Sequence, residues 1–178
     1  MYERYLSLFL IIFLFLQFPS YGQTEDLVEI YLLDNIDEDR NYCIDIPGYK
    51  TRAKINRKLQ AHTCYSYQGE VGIDQGFERK SIKTGVFYMP AFKVCMVANK
   101  VKAGSLLSLS ECNKTYNKLF NLSSDNKIKP KIDKSLCITL SQNSSRKGKG
   151  GSPVHLIREL YLDKCNKNLK KFQSWGFR

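Results

Sequence analysis

Three near-copies of one cysteine pattern run along this chain, and they constrain its fold more than any other feature. Cys43-Ile-Asp-Ile, Cys95-Met-Val-Ala and Cys137-Ile-Thr-Leu each open a short apolar-rich run, the pattern of a half-buried strand. Each is followed by a second strand-like run ending on another cysteine: Leu59 to Cys64, Leu106 to Cys112, and Leu160 to Cys165. An aromatic closing element comes next: Asp74-Gln-Gly-Phe77, Asn117-Lys-Leu-Phe120 and Phe172-Gln-Ser-Trp175. Six cysteines allow 15 connectivities. The repeat favours pairing within each unit, as Cys43–Cys64, Cys95–Cys112 and Cys137–Cys165. Each bridge then staples two strands and contributes about 2–4 kcal/mol. On this reading the cysteines are staples and none is a catalytic thiol. No C-x-x-C pair occurs, which disfavours a metal site.

The breaks between the strand-like runs are rich in turn residues, as at Pro47-Gly48, Gln68-Gly69, Ala103-Gly104-Ser105 and Gly148 to Pro153. Outside the N-terminal apolar run, no segment sustains a 3.6-residue period, so the expected class is all-β. Three units of about 40–50 residues can close into one three-fold barrel. Phe77, Phe120 and Trp175 are then its shared core.

The N-terminus reads as an export signal. The run from Leu6 to Phe18 is apolar apart from Ser7 and Gln17, and Ser20 and Gly22 suit a cut before Gln23. Residues 1–22 are therefore expected to be a signal peptide and 23–178 a single domain, with a retained signal anchor as the alternative. The run falls short of the roughly 20 residues that span a bilayer, so no membrane span is expected after cleavage. An exported chain with six cysteines is expected to be secreted and disulfide-bonded. Asn113-Lys-Thr, Asn121-Leu-Ser and Asn143-Ser-Ser are acceptor triplets for N-glycosylation, consistent with a secreted glycoprotein.

The arrangement of three cysteine openers with Gln-x-aromatic closers resembles the ricin B-type lectin domain, across about Val28 to Phe177. The residues that carry the resemblance are Cys43-Ile-Asp-Ile, Gln173-Ser-Trp175 and the variant Gln75-Gly-Phe77. It implies a single β-trefoil of three disulfide-stapled repeats following the signal peptide. It also implies sugar binding by an opener Asp, an aromatic just before the second cysteine, and polar residues at the start of the closer. Carried over by position, the first repeat supplies Asp45, Gln60, His62, Asp74 and Gln75. An ionised Asp45 can accept from two sugar hydroxyls. His62 can offer a ring face or a hydrogen bond, where a larger aromatic is usual. Gln60 and Gln75 can orient the aspartate, Gln75 chiefly as a brace. Asp74 stands where an Asn is common and, when ionised, can only accept.

The other repeats read as degraded sites. The Asp45 position holds Val97 in the second and Thr139 in the third, and the His62 position holds Ser110 and Asp163. The expectation is thus a secreted carbohydrate-binding lectin, with one site per chain for a galactose- or N-acetylgalactosamine-type ligand on glycans or glycoproteins. No hydrolase or phosphate-loop motif occurs, and the Asp37-Glu38-Asp39 run reads as solvated surface, so no enzymatic activity and no cofactor are expected. The rival reading comes from the net charge of +11. It is a basic secreted trefoil that binds a protein or an anionic, sulfated polysaccharide through Lys127 to Lys131, Arg146 to Lys149 and Lys167 to Lys171. No helical stripe or RNA-binding signature frames these clusters, so nucleic acid is not an expected partner.

Overall fold

Residues 26–112 and 119–178 are described by the structure, a computed structural model. The predicted signal peptide, the Asn113 acceptor triplet and the start of the second closer at Asn117 lie outside the described residues. The first repeat contributes strands β1 (Leu27–Leu32), β2 (Tyr42–Asp45), β3 (Gln60–Thr63) and β4 (Gly76–Glu78). Helix α1 (Arg79–Thr84) leads into the second, with β5 (Tyr88–Met89), β6 (Val94–Ala98), β7 (Leu107–Ser110) and β8 (Phe120–Leu122). The third holds β9 (Ile128–Pro130), β10 (Leu136–Leu140), β11 (Arg146–Lys147), β12 (Leu156–Lys164), helix α2 (Lys170–Gln173) and β13 (Trp175–Phe177). Among the described residues the architecture is all-β apart from two short α-helices and a few 3-10 turns.

Three hairpins carry the repeat: β2–β3, β6–β7 and β10–β12, all antiparallel. Their registers agree residue for residue. Cys43 faces His62, Cys95 faces Ser110 and Cys137 faces Asp163. Two places along, Asp45 faces Gln60, Val97 faces Ser108 and Thr139 faces Tyr161. The disulfides are Cys43–Cys64, Cys95–Cys112 and Cys137–Cys165, and no cysteine is free. The predicted pairing and the predicted equivalences are those of the structure.

Between the hairpins, β1 pairs with both β4 and β13, and β8 pairs with β9. Each closer thereby meets the first strand of a repeat. Alternation along β1 buries Val28, Ile30 and Leu32. Phe77, Phe120 and Trp175 are fully buried, as expected. Phe87 links the first two, with ring centroids 6.3 Å and 5.6 Å away in edge-to-face contact. The Trp175 indole donates to the Ile138 carbonyl at 2.9 Å, so its one polar atom is satisfied inside the core.

The third repeat departs from symmetry. Its cysteines are 28 residues apart, against 17 in the second, and the extra chain forms an arm around β11 and the first half of β12. The arm adds to the β3 edge of the first repeat, pairing Ile157 with His62 and Glu159 with Gln60. Leu156 N–H donates to Thr63 Oγ1 at 2.8 Å, and Arg40 donates to the Pro153 carbonyl at 2.9 Å. Buried Arg158 forms an ion pair with Asp37 at 2.8 Å and lies over the Tyr42 ring. Glu38 is buried too; it pairs with Arg40 at 2.6 Å and accepts from Thr63 Oγ1 at 2.6 Å. The sequence reading of Asp37-Glu38-Asp39 as solvated surface holds for exposed Asp37 and Asp39 and is corrected at Glu38, which is buried; Asp37 and Glu38 both help to hold the arm.

Candidate functional site

Between the first repeat and the arm lies a cleft of about 770 Å³. The first repeat supplies Tyr49, Gln60, His62 and Tyr65 to its wall; the arm supplies Arg146, Lys149, Gly151 and His155. Gly151 is required here on two counts. Its φ is +90°, and a Cβ would stand 2.3 Å from the His155 ring.

The five residues expected at the sugar site are all buried and fall into two layers. Gln60 and His62 line the cleft, whereas Asp45, Asp74 and Gln75 are not among its lining residues. Asp45 is 1% exposed, with Gln60 Nε2 donating to one carboxylate oxygen at 2.7 Å and Gln75 Nε2 to the other at 3.2 Å. Asp45 thus lies behind the cleft wall in this arrangement, with one amide on each carboxylate oxygen and no surface of its own in the lining. Burial pushes the Asp45 carboxyl well above the ordinary carboxylate range; the two amide bonds oppose the rise and nearby Asp74 adds to it.

Gln60 connects the layers. Its carbonyl oxygen accepts from Arg146 Nη2 at 3.0 Å while its amide holds Asp45. Gln75 is the brace that the sequence suggested. Its Oε1 accepts from Tyr65 N–H at 2.9 Å and its Nε2 donates to the Thr63 carbonyl at 3.0 Å. Asp74 accepts from Lys50 N–H at 3.0 Å, and burial raises its pKa. Its Oδ1 is buried without a hydrogen-bond partner.

The His62 Nδ1 lies 2.9 Å from the Thr63 carbonyl, which can only accept, so Nδ1 carries a proton. Burial lowers the His62 pKa to about 4, leaving the ring neutral at pH 7 with Nε2 as an acceptor. The second histidine of the chain, His155, packs edge-on to His62 with centroids 5.0 Å apart. It also touches the Tyr65 ring and shares a 2.8 Å hydrogen bond with the Tyr67 hydroxyl. Sequence reasoning gave His155 no role and passed over Tyr49, Tyr65, Arg52 and Arg57, all of which line the cleft. The one available signal was the basic, glycine-rich turn from Arg146 to Gly151 just ahead of a histidine.

The equivalent place in the third repeat is built on the same brace. Gln173 accepts from Asn166 N–H at 3.0 Å and donates to the Lys164 carbonyl at 3.0 Å and to Thr139 Oγ1 at 2.9 Å. In the second repeat, buried Val97 faces Ser108, whose hydroxyl is buried and unpaired. Glu29, Cys43 and Cys64 lie close enough together to suggest a metal donor set, but both sulfurs are in the disulfide. Among the described residues, no helix is long and apolar enough to cross a membrane.

No family model matches the chain, and no curated protein matches it by sequence. Solved structures match it in fold. The mdaA-1 domain superposes with a TM-score of 0.63 at 16% identity, over 86% of this chain and 89% of that one. The C-terminal half of an earthworm R-type lectin, solved in complex with GalNAc, gives 0.57 at 11% identity, over 85% and 97%. The agglutinin from Abrus precatorius gives 0.55 at 12% identity; 85% of this chain is covered, but only 46% of that one. The fold is thus the β-trefoil of ricin B-type and related lectins.

Proposed function

We propose that this β-trefoil is a secreted carbohydrate-binding lectin whose single site is the cleft over the first repeat. The observation that carries the reading is that one repeat alone sets a buried carboxylate, Asp45, behind an amide that reaches the cleft, Gln60. In the other two repeats that position holds Val97 and Thr139. Three disulfides and no free cysteine suit an oxidising, extracellular setting.

The chemistry of the wall suits a sugar. The neutral His62 ring accepts a hydroxyl proton at Nε2, and Gln60 offers both polarities. The Tyr65 ring, packed against His62 at 5.2 Å, gives an apolar side for a sugar C–H face. Asp45 acts from behind as a positioning residue, holding the Gln60 amide in one orientation and strengthening its carbonyl as an acceptor. A galactose- or N-acetylgalactosamine-type residue is the proposed ligand. The resemblance of the first repeat supports it, as does the GalNAc held by the earthworm neighbour. Nothing in this reading requires catalysis or a cofactor.

One shallow polar site gives affinities of about 0.1–10 mM, so useful binding comes from clustered ligands. A glycan array with the wild type and Asp45→Thr tests the reading. Threonine is the third repeat's residue and keeps an acceptor for Gln75. Expected is galactoside binding by the wild type, insensitive to salt up to about 0.5 M, and its loss in the variant. A wild type that ignores every galactoside, or a variant that binds like the wild type, would overturn it.

A further inference from the structure

The cleft carries more positive charge than a neutral sugar needs. Arg52, Arg57, Arg146 and Lys149 all line it and all are exposed. Among the described residues none of the four is in an ion pair. No carboxylate is among the residues that line it; Asp45 and Asp74 are buried behind the wall. Elsewhere the basic clusters are partly used: Lys129 pairs with Asp125 at 3.2 Å, Lys131 donates to the Thr84 carbonyl, and Lys127 donates to Gln173. The cleft therefore gathers unpaired cations on a concave surface.

The concavity also continues past the sugar site. Arg57, Gln60, Arg146 and Pro47 are shared with an adjoining depression of about 460 Å³. Lys58, Asn56 and Glu159 also line it, Glu159 being its one acidic group. Arg57 and Arg146 stand where the two depressions meet. A ligand longer than one sugar, with a negative group beyond the first ring, fits this distribution of charge.

We propose that the cleft selects a galactoside bearing an anionic group, sulfate or carboxylate, held on the basic rim of Arg52, Arg57 and Lys149. The proposal rests on the sugar-site reading above and adds the class of substituent. Arg146 belongs to both functions, since its guanidinium already orients Gln60. The cations come from two repeats, Arg52 and Arg57 from the first and Lys149 from the arm of the third. The selectivity is therefore a property of the arm as much as of the first repeat.

Calorimetric titration of the mature chain with lactose, sulfated lactose and sialyllactose tests this at low and at high salt. At low salt an acidic galactoside should bind about tenfold tighter than lactose, the scale of one or two well-placed charged hydrogen bonds. At about 0.5 M salt that advantage should shrink, while lactose binding holds. The triple variant Arg52→Ala, Arg57→Ala, Lys149→Ala should bring the ratio of affinities close to one. Arg57→Lys, which keeps the charge, should preserve most of it. Preference for the sulfated or for the sialylated sugar alone supports the proposal and identifies the group. Equal affinity for lactose and both acidic sugars overturns it and leaves the sugar site standing; so does a preference that survives the triple variant. Failure of all three sugars to bind removes the sugar site itself.

Discussion

The first and third repeats hold the same glutamine in the same three hydrogen bonds, yet the cleft proposed as the binding site lies over the first. Gln75 and Gln173 each accept from the N–H that follows the second cysteine, and each donates to the carbonyl that precedes it. The third bond reaches Asp45 in one repeat and Thr139 in the other. A glutamine that makes the same bonds in both repeats is a structural part of the hairpin. The two repeats differ in what it touches, a carboxylate or a hydroxyl, and in the arm that packs beside the first. The arm that forms one wall of the cleft over the first repeat leaves from the third.

Removing the brace should break this equivalence most visibly. Gln75→Ala strands the Tyr65 N–H on a buried residue, leaves the buried Thr63 carbonyl with only its His62 donor, and should cost about 2–3 kcal/mol. Gln173→Ala strands groups on Asn166 and Lys164, which are exposed, so water can replace the lost bonds and the cost should be nearer 1 kcal/mol. Chemical denaturation of the two variants measures the difference. Equal losses would show that the arm does not shield the first repeat.

A second contrast lies at the register position opposite the first cysteine, where buried His62 corresponds to half-buried Asp163. The folded-state pKa of His62 falls from 6.5 to about 4 through burial, with His155 and Arg146 adding to the fall, and the Thr63 carbonyl and Glu38 opposing it. A depressed histidine pKa means that the unfolded chain binds more protons between these values. Its stabilisation is therefore complete above pH 6.5 and is lost as the pH falls toward 4, by about 3 kcal/mol in full. His62→Phe keeps a ring in place without the proton. The melting temperature of the variant should depend less on pH than that of the wild type across this window. Parallel curves for the two proteins would refute the assignment.

Much of this was legible in the sequence because it is local or repeated. Three cysteine openers in one context specified the disulfides, and through them the hairpin register that makes Asp45, Val97 and Thr139 equivalent. The closers named the core aromatics. What could not be read depends on contacts between distant segments. Arg158 meets Asp37 and His155 meets His62 only because the arm folds back across another repeat, and no local period records that. The burial of Glu38 and the pairing of exposed Asp37 with Arg158 went unread for the same reason, since their partners are set by the packing of the arm. Asp45 and Gln60 were correctly placed together, but their burial follows from amides on both sides of the carboxylate, which residue types alone do not reveal.

The smallest expected effect on stability is also the one that separates site from scaffold. Replacing Asp45 with the third repeat's threonine removes a buried carboxyl whose pKa is raised, chiefly by burial. A raised carboxyl pKa means that the folded state holds its proton after the unfolded chain has lost it. The group therefore stabilises fully only below its unfolded pKa of about 3.9, and opposes folding increasingly as the pH rises through the folded value. Asp45→Thr should thus gain stability relative to the wild type, by about 1 kcal/mol at pH 7 and by less at pH 4. The Gln75 amide keeps an acceptor, as Gln173 has in Thr139, so the hairpin need not rearrange. Gained stability together with lost galactoside binding would identify Asp45 as a residue held at a cost for function. A variant less stable at pH 7 than the wild type would instead make the aspartate part of the scaffold, and the first repeat would then differ from the third in packing alone.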